Sequence, residues 1–280
     1  MTLDFIKYQG AGNDFIIADD SLKKWKRDPE SIRKICDRCR GVGGDGLILL
    51  EKPRPGQPIK MTYYNSDGSY AAMCGNGLRC AASFAYKNGF SENKKMQFDV
   101  GGEELQAEIM DEYGAVVKVM IKQTEEFKEY HMEDGQTVYK GGAGVPHAVV
   151  ICREDKVPDI RSAGAKLRYH KFFAPEGTNV DFLILPETKE NGVVKIRTYE
   201  RGVEGETLAC GTGCAASALV LHHFFDFSEK VSFLCYGSDK IEVEILKKSC
   251  NLKGVWLTGP ATAVFSGILT TEIKEIYQTT

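Results

Sequence analysis

The most constraining feature of this sequence is a short motif that occurs twice, once in each half of the chain. Cys210-Gly-Thr-Gly213 and Cys74-Gly-Asn-Gly77 each precede an apolar run with the pattern of a buried helix. A helix start carries backbone N–H groups without partners and the positive end of the dipole, so a thiol placed there loses its proton more easily. The sequence therefore predicts two reactive thiols, Cys74 and Cys210, at helix N-termini.

The predicted elements repeat in the same order around the two motifs. In each half a strand, a helix and two strands precede the cysteine-headed helix, and three strands follow it. The spacing from Asp14 to Cys74 is close to that from His147 to Cys210. We interpret the repeat as a duplication that gives two similar lobes, with a small-molecule site in the cleft between them. The acidic, broken segment 123–142 is predicted to be the passage between the two halves, with a little structure of its own.

An early helix carries a further cysteine motif. This helix is predicted to start at Asp28 and to end near Arg40, with Cys36 and Cys39 on its buried face. The Cys-x-x-Cys spacing also occurs in zinc and redox sites, but the sequence offers no second pair of ligands at similar spacing. Both cysteines are therefore expected to pack in the core.

Composition restricts the class of protein. The chain has 280 residues, of which 42% are apolar and 27% charged, as in a globular protein with one large or two ordinary domains. A net charge of −3 predicts no surface for nucleic acid, and no apolar run approaches the roughly 18 residues of a membrane helix. Nine cysteines without an export signal favour a reduced, cytoplasmic setting.

Several polar residues have the groups needed to bind a small ligand. With Arg201, a set of side-chain amides can hold a zwitterion, because amides bind ammonium or carboxylate and the guanidinium binds carboxylate. His147 opens a strand and is as often structural as catalytic, and Glu200 can simply pair with Arg201. Four asparagines are predicted at strand-to-loop junctions, where turn chemistry alone also explains them: Asn13, Asn65, Asn76 and Asn179.

The two motif cysteines suggest a reaction. If one is a thiolate and the other a thiol, the first removes a proton from one face of a carbon and the second returns a proton to the opposite face. A stereocentre is then inverted without a cofactor or a metal. A thiol redox or metal-binding protein is the alternative of a different class, and an amino-acid-binding module without activity is another.

Taken together, these residues resemble the diaminopimelate epimerase family over nearly the whole chain. The Met-Cys-Gly-Asn-Gly run separates this family from the related proline racemases. The resemblance implies an α/β fold, of the kind classed as α+β. The fold would have two pseudo-symmetric lobes, and each lobe would be a mixed, mostly antiparallel sheet rolled around a central helix. The segments that carry it are Gly10–Phe15, Met73–Arg79, Pro146-His147, Asn179, Glu200-Arg-Gly and Ala209–Gly213.

The resemblance also implies lobe boundaries and an activity. The N-terminal lobe is expected over 1–122, with 262–280 returning to it, and the C-terminal lobe over 123–261. A cytoplasmic homodimer is implied, which interconverts LL- and meso-diaminopimelate in lysine and peptidoglycan synthesis without pyridoxal phosphate or any other cofactor. A racemase of another amino acid on the same scaffold is the nearest alternative.

Carried over by position, the resemblance implies roles for individual residues. Cys74 and Cys210 would be the acid and base, assisted by His147 and Glu200. The substrate would be bound by side chains and by backbone N–H groups of the two motifs: Asn13, Asn65, Gly75, Asn76, Asn179, Glu200, Arg201, Gly211 and Thr212.

Three positions depart from the pattern of the family. Val145 replaces an asparagine expected before Pro146, so one amide ligand is missing. Gly46 stands where some members carry glutamine. Glu204 is an extra residue in the loop after Arg201. Positions 145 and 204 lie within the predicted site, so they bear on how the distal end of the substrate is held.

Overall fold

The structure is a computed structural model that describes residues 3–71, 74–187, 192–246 and 254–270. The chain divides into two compact units, Met1–Val119 with Pro260–Thr280 and Met120–Gly259. The sequence suggested divisions at 122/123 and 261/262. Met73 of the first motif lies outside the described residues, as does the last part of the returning segment 262–280. Among the described helices, none combines the length and the apolar character needed to cross a membrane.

The described secondary structure consists of strands and four α-helices, with short 3-10 turns at 154–156 and 171–173. The first half contains β1 (Leu3–Gly10), β2 (Asn13–Asp19), α1 (Pro29–Cys36), β3 (Gly46–Glu51), β4 (Ile59–Asn65), β5 (Tyr70–Ala71), α2 (Gly75–Lys87), β6 (Lys95–Val100), β7 (Glu103–Ile109) and β8 (Val116–His131). The second half contains β9 (Thr137–Ala143), β10 (Val145–Cys152), α3 (Ile160–Arg168), β11 (Asn179–Ile184), β12 (Val193–Glu200), β13 (Gly205–Thr207), α4 (Gly211–Phe225), β14 (Lys230–Cys235), β15 (Lys240–Ile245), β16 (Gly254–Pro260) and β17 (Thr262–Leu269).

The first unit is a mixed sheet around helix α2. Strands β2 and β3 are parallel and joined through α1, and β4 and β6 are parallel and joined through α2. The other pairs are antiparallel, including β17 against β1. Helix α2 packs against β1, β2, β3 and β7, so every residue from Gly75 to Ala85 is buried. Helix α1 covers the opposite face, where Ile32 joins Ile16 and Leu49 in one apolar cluster.

The second unit repeats this arrangement around helix α4. Strands β10 and β11 are parallel and joined through α3, and β12 and β14 are parallel and joined through α4. The short strands β5 and β13 also occupy equivalent places, each antiparallel to the strand before it. Strand β8 pairs with both β9 and β16, so the sheet closes on itself. The strand pairing confirms the repeated order of elements and the α+β class.

Helix α1 is shorter than the sequence predicted. Asp28 caps it through a bond from the Ser31 N–H at 2.9 Å, as expected, but the helix ends at Cys36. The Asp37 carboxylate accepts from the backbone N–H of Cys39 at 2.8 Å and so competes with further helical bonds. Cys36 is buried, which raises the pKa of its thiol to about 12. The prediction that Cys39 is buried was wrong, because Cys39 is exposed beyond the helix end.

The acidic segment 123–142 has more regular structure than the sequence predicted. Strand β8 continues to His131, and β9 begins at Thr137 and pairs with it antiparallel, with Glu129 opposite Tyr139. The acidic side chains are exposed, whereas Phe127 and Val138 are buried. The acidity therefore marks the solvent face of a hairpin.

Candidate active site

Cys74 is the N-cap residue of α2, as the sequence predicted. Its backbone is extended at φ −146°, and its Sγ atom accepts a hydrogen bond from the Gly77 N–H at 3.4 Å. The thiol also donates to Oδ1 of Asn13 at 3.6 Å. The half-buried thiol is therefore held between the start of the helix and an amide oxygen.

The orientation of the Asn13 amide follows from an acidic neighbour. Asn13 donates from Nδ2 to Oδ2 of Asp45 at 2.7 Å, so its Oδ1 faces Cys74. Arg38 in turn pairs with Asp45 at 2.8 Å and with Asp14 at 2.7 Å. Burial opposes ionisation of Asp14, but hydrogen bonds from Arg38 and Lys7 outweigh it and lower the pKa of that carboxyl. Asn13 is thus fixed by an ionised network that the sequence did not reveal.

Asn76 lies in the first turn of α2, so its predicted position at a strand-to-loop junction was wrong. The helix begins at Gly75, directly after the capping cysteine. Asn76 donates from Nδ2 to Oδ1 of Asn13 at 3.3 Å and accepts on Oδ1 from Nη2 of Arg79 at 2.9 Å. Arg79 is fully buried. Sequence reasoning gave Arg79 no role, although an arginine inside an apolar run signals a buried polar partner.

Cys210 occupies the same position in the second unit, as the N-cap of α4. Its side chain is buried, and its Sγ atom lies 3.4 Å from Oγ1 of Thr212. Burial, with the nearby charges of Glu200 and Asp181, raises the pKa of the Cys210 thiol well above its usual range. The expectation that the helix start lowers this pKa is therefore wrong for Cys210, because the surroundings outweigh the helix terminus.

His147 belongs to a buried polar network beneath α4. Its Nδ1 atom lies 2.7 Å from Oδ2 of Asp181, and Thr198 donates from Oγ1 to Oδ1 of the same carboxylate at 2.7 Å. His147 and Asp181 are fully buried, and Thr198 nearly so. Sequence reasoning missed Asp181 and Thr198. The available signal was a carboxylate within the apolar run of β11.

Asn179 connects this network to the loop that carries Glu200 and Arg201. Its Oδ1 accepts from the backbone N–H of Arg201 at 2.8 Å, and its Nδ2 lies 3.4 Å from Nε2 of His147. The Arg201 guanidinium donates to the carbonyl oxygen of Glu176 at 3.3 Å. Glu200 ends β12, where its charge acts on Cys210. The structure thus brings His147, Asn179 and Arg201 into one hydrogen-bonded chain.

The extra residue Glu204 holds the loop closed. It adopts a left-handed backbone with φ 54°. Its carboxylate accepts from Arg168 at 3.1 Å, from the Tyr169 hydroxyl at 2.8 Å and from the Gly202 N–H at 3.1 Å. Burial opposes ionisation, but these donors outweigh it and lower the pKa of Glu204. Glu204 therefore clamps the turn that follows Arg201.

The remaining predicted residues lie at a turn and at the helix starts. Asn65 ends β4 and donates from Nδ2 to the Ser69 hydroxyl at 3.0 Å, within its own turn. Gly75 and Gly211 are the first residues of α2 and α4, and Thr212 follows Gly211. Their backbone N–H groups belong to helix first turns, which suit an anion.

The other two departures from the family pattern, Gly46 and Val145, also have a structural context. A Cβ atom at Gly46 would lie 2.4 Å from the Tyr64 carbonyl oxygen and 2.6 Å from the Tyr63 ring, so a side chain does not fit there without a backbone shift. Val145 starts β10 opposite Ala143 and offers no polar side-chain atom.

Comparison with known proteins gives consistent results. The family profile of diaminopimelate epimerase matches residues 5–125 and 139–264. The diaminopimelate epimerase of Hydrogenobaculum sp. (strain Y04AAS1) is 40% identical over 95% of this chain and 98% of its own length. That of Aquifex aeolicus (strain VF5) is 38% identical over 98% of this chain and 100% of its own. In fold, the chain is similar to a phenazine biosynthesis protein of the PhzF family from Bacillus anthracis, with a TM-score of 0.72, 15% identity and coverage of 96% of this chain and 99% of that one.

Proposed function

The chain belongs to the diaminopimelate epimerase family, and we propose that Cys74 and Cys210 are the acid and base of its reaction. The protein is an isomerase that interconverts LL- and meso-diaminopimelate. One observation carries the assignment of the cysteines. Each is the N-cap of the central helix of its unit, at equivalent places in two units of the same connectivity. Cys80 and Cys214, which are fully buried farther along these helices, lack that position.

In the proposed mechanism each thiol group has one task per turnover. A thiolate removes the α-proton from one face of the substrate, and the thiol of the other cysteine adds its proton to the opposite face. The α-carbon is inverted, the two cysteines exchange protonation states, and no electrons are transferred. Burial and the charges of Glu200 and Asp181 raise the pKa of Cys210, which favours its thiol form. The two thiols balance the proton transfer, so the proposal includes no cofactor.

The negative charge that develops on the substrate carboxylate requires stabilisation. We assign this task to the first turns of α2 and α4, where Gly75, Asn76, Gly211 and Thr212 have backbone N–H groups. The amide and guanidinium groups of Asn13, Asn65, Asn179 and Arg201 bind the remaining polar groups of the substrate. Glu200 assists Cys210, because its carboxylate charge favours the protonated thiol. The helix termini act on the charge that forms in the reaction, so they stabilise the transition state more than the substrate.

The active assembly in this proposal is a cytoplasmic homodimer. Strand β17 presents Val264, Phe265 and Ile268, which are each about half exposed or more, an apolar surface suited to a second copy of the chain. Within the described residues no cysteine forms a disulfide, which suits a reduced compartment. Sedimentation of the wild-type protein and of a Phe265→Glu variant tests the dimer, since a charge at the interface is expected to give monomers. A wild-type monomer contradicts it.

Proton exchange in heavy water tests the assignment of the cysteines. The purified protein is expected to incorporate deuterium at the α-carbon of LL-diaminopimelate and to form the meso isomer without added pyridoxal phosphate. Cys74→Ala and Cys210→Ala are each expected to abolish epimerisation, whereas the exposed Cys39→Ala is the matched control and keeps it. Full exchange by the Cys74→Ala, Cys210→Ala double variant contradicts the two-thiol mechanism. Exchange with another amino acid but not with diaminopimelate indicates the racemase alternative.

A further inference from the structure

Asp181 and Ile48 occupy the same place in the two units, beneath the first turn of the central helix. In the parallel pair β10–β11 Asp181 lies opposite Val149, and in the parallel pair β2–β3 Ile48 lies opposite Ile17. The glycine above each residue confirms the equivalence. A Cβ atom at Gly213 would lie 2.3 Å from Oδ1 of Asp181, and one at Gly77 would lie 3.2 Å from Cδ1 of Ile48.

The layer around this place is apolar in one unit and polar in the other. In the first unit Ile48 lies opposite Tyr63, whose ring packs edge to face on Phe15 at 5.8 Å. The corresponding register positions of the second unit are Asp181, Thr198 and His147. Asp181 and His147 are each 0% exposed, and Thr198 is 3% exposed.

A buried carboxylate requires an explanation at this position. Removing a charge from water costs several kcal/mol unless hydrogen bonds and partners compensate, and an apolar side chain of similar volume often packs at least as well. The first unit fills the equivalent place with Ile48 and keeps the same fold. The scaffold therefore does not require Asp181, so the reason for it lies in what it binds.

The hydrogen bonds around Asp181 fix the tautomer of His147. An ionised carboxylate only accepts, so the 2.7 Å contact requires a proton on Nδ1 of His147. On the other side of the ring, Asn179 must direct its Nδ2 group at Nε2, because its Oδ1 already accepts from the Arg201 backbone N–H at 2.8 Å. An amide donor facing Nε2 requires a lone pair there. The pattern of hydrogen bonds thus assigns the proton to Nδ1 of His147 and leaves Nε2 as an acceptor.

We propose that Asp181 is a positioning residue that anchors the substrate-binding loop of the Cys210 unit through His147 and Asn179. The relay runs from the Asp181 carboxylate to the Nδ1–H of His147, then to the Asn179 amide, and ends at the backbone N–H of Arg201. It deepens the proposed function, since it rests on Arg201 binding the substrate. Without the Asp181 carboxylate, the proton of the His147 ring is free to move to Nε2. The Nε2–H group and the Nδ2 group of Asn179 would then be two donors facing each other.

The effect of losing this relay is expected in substrate binding rather than in the chemical step. Asp181→Leu places an apolar residue where the first unit has Ile48, and it removes the acceptor of His147. The variant is expected to raise KM by about tenfold, as for the loss of one charge-assisted hydrogen bond, with kcat changed by less than about threefold. Thr62→Val is the matched control, because it removes a buried hydroxyl from β4 of the first unit, away from the relay; its KM is expected to stay near that of the wild type.

A conservative variant separates the hydrogen bond from the charge. Asp181→Asn keeps a carbonyl oxygen that accepts from Nδ1–H, while the Thr198 hydroxyl turns to accept from the new amide. It is expected to retain the tautomer and a KM within about threefold of the wild type. An Asp181→Asn enzyme that keeps the tautomer but raises KM as far as Asp181→Leu overturns the relay, since the charge alone then matters.

The protonation of the ring is measured directly by ¹⁵N–¹H correlation NMR on the wild-type protein without substrate. The chain has five histidines, and His147→Gln identifies the signal of position 147. The expected result near neutral pH is a protonated Nδ1 and an unprotonated Nε2, and in Asp181→Leu a shift of the proton to Nε2. A proton on Nε2 in the wild type overturns the proposal, even where Asp181→Leu fails to fold. This readout needs no turnover, so its failure is distinct from failure of the two-thiol mechanism.

Discussion

The guanidinium of Arg79, fully buried in helix α2, donates from Nη2 to Oδ1 of Asn76 at 2.9 Å. This bond determines which end of the Asn76 amide faces Asn13, and Asn13 in turn accepts from the thiol of Cys74. A cation that sequence reasoning left without a role therefore orders the surroundings of one proposed catalytic group.

We expect Arg79→Met to lower kcat/KM by about tenfold or more, because the Asn76 amide is then free to rotate. Arg79→Lys is expected to restore little, since an ammonium does not reproduce the planar fork of a guanidinium. The exposed Arg40→Met is the matched control and should leave the kinetics unchanged. Steady-state rates measured at a temperature where all three variants are folded provide the check; wild-type rates in Arg79→Met contradict the role of Arg79.

The two motif glycines provide a second test, because they face different neighbours. Gly213→Ala is expected to lower the free energy of unfolding by about 1–3 kcal/mol, since its Cβ atom would meet the Asp181 carboxylate at 2.3 Å. Gly77→Ala is expected to change it by less than about 1 kcal/mol, because the end of Ile48 can yield and alanine favours a helix. Urea unfolding measures both. Equal losses of unfolding free energy in the two variants would contradict the prediction that the Asp181 carboxylate resists an added Cβ atom more than the end of Ile48 does.

The pH dependence of alkylation tests the state of the Cys210 thiol. Its pKa is raised by burial and by Glu200 and Asp181, so the reactive thiolate is scarce at neutral pH and increases as the pH rises. Labelling with iodoacetamide, read by mass spectrometry, is expected to be slow at Cys210 at about pH 7 and to accelerate beyond the ordinary thiol pKa of about 8.5. Cys39, which is exposed, should label faster than native Cys210 at each pH, and both should label alike after denaturation. Rapid labelling of native Cys210 at neutral pH would contradict the prediction.

The network behind Asn13 is expected to contribute to stability in a defined pH range. Asp14 has a pKa lowered in the folded state by Arg38 and Lys7, so its contribution is complete above the unfolded pKa of about 3.9 and is lost as the pH falls through the folded value. Asp14→Asn should lower the free energy of unfolding near pH 7 by about 1.5–3 kcal/mol, and the difference from the wild type should shrink below about pH 4.

The control for this prediction is an exposed ion pair. Asp155→Asn removes the partner of Arg153 at the surface, where ion pairs contribute about 0–1 kcal/mol. Denaturant unfolding of both variants at several pH values separates the cases. A difference for Asp14→Asn that grows on acidification has the wrong sign for a lowered pKa and contradicts the assignment.

The features predicted well from the sequence are those determined by neighbouring residues. The Asp28 cap and the helix starts after Cys74 and Cys210 depend on residues within one turn, so the sequence reveals them. Cys39 was wrongly predicted to lie on the buried face of helix α1. The spacing of apolar residues does not show that the Asp37 side chain competes for backbone N–H groups. The same limit applies to the hairpin of β8 and β9. Its acidic residues lie on the solvent-facing side of the two strands, and their composition alone did not indicate a strand.

The polar network beneath α4 was not predictable from local pattern. Asp181 binds His147 and Thr198, which are 34 and 17 positions away in the chain. Within β11 its carboxylate interrupts an apolar run, and only the register of three strands shows what it faces. A duplicated sequence nevertheless indicates where to look, because the residue at the equivalent place in the other copy is apolar.

The pairing of β1 with β17 has a consequence for synthesis of the chain. Leu3 lies opposite Leu269, so β1 leaves the ribosome long before the strand with which it pairs is made. Residues 120–259, by contrast, are contiguous and include the strands that close their own sheet. Chains are made from the N-terminus at about 5–20 residues per second, so the half that is made first is the half completed last.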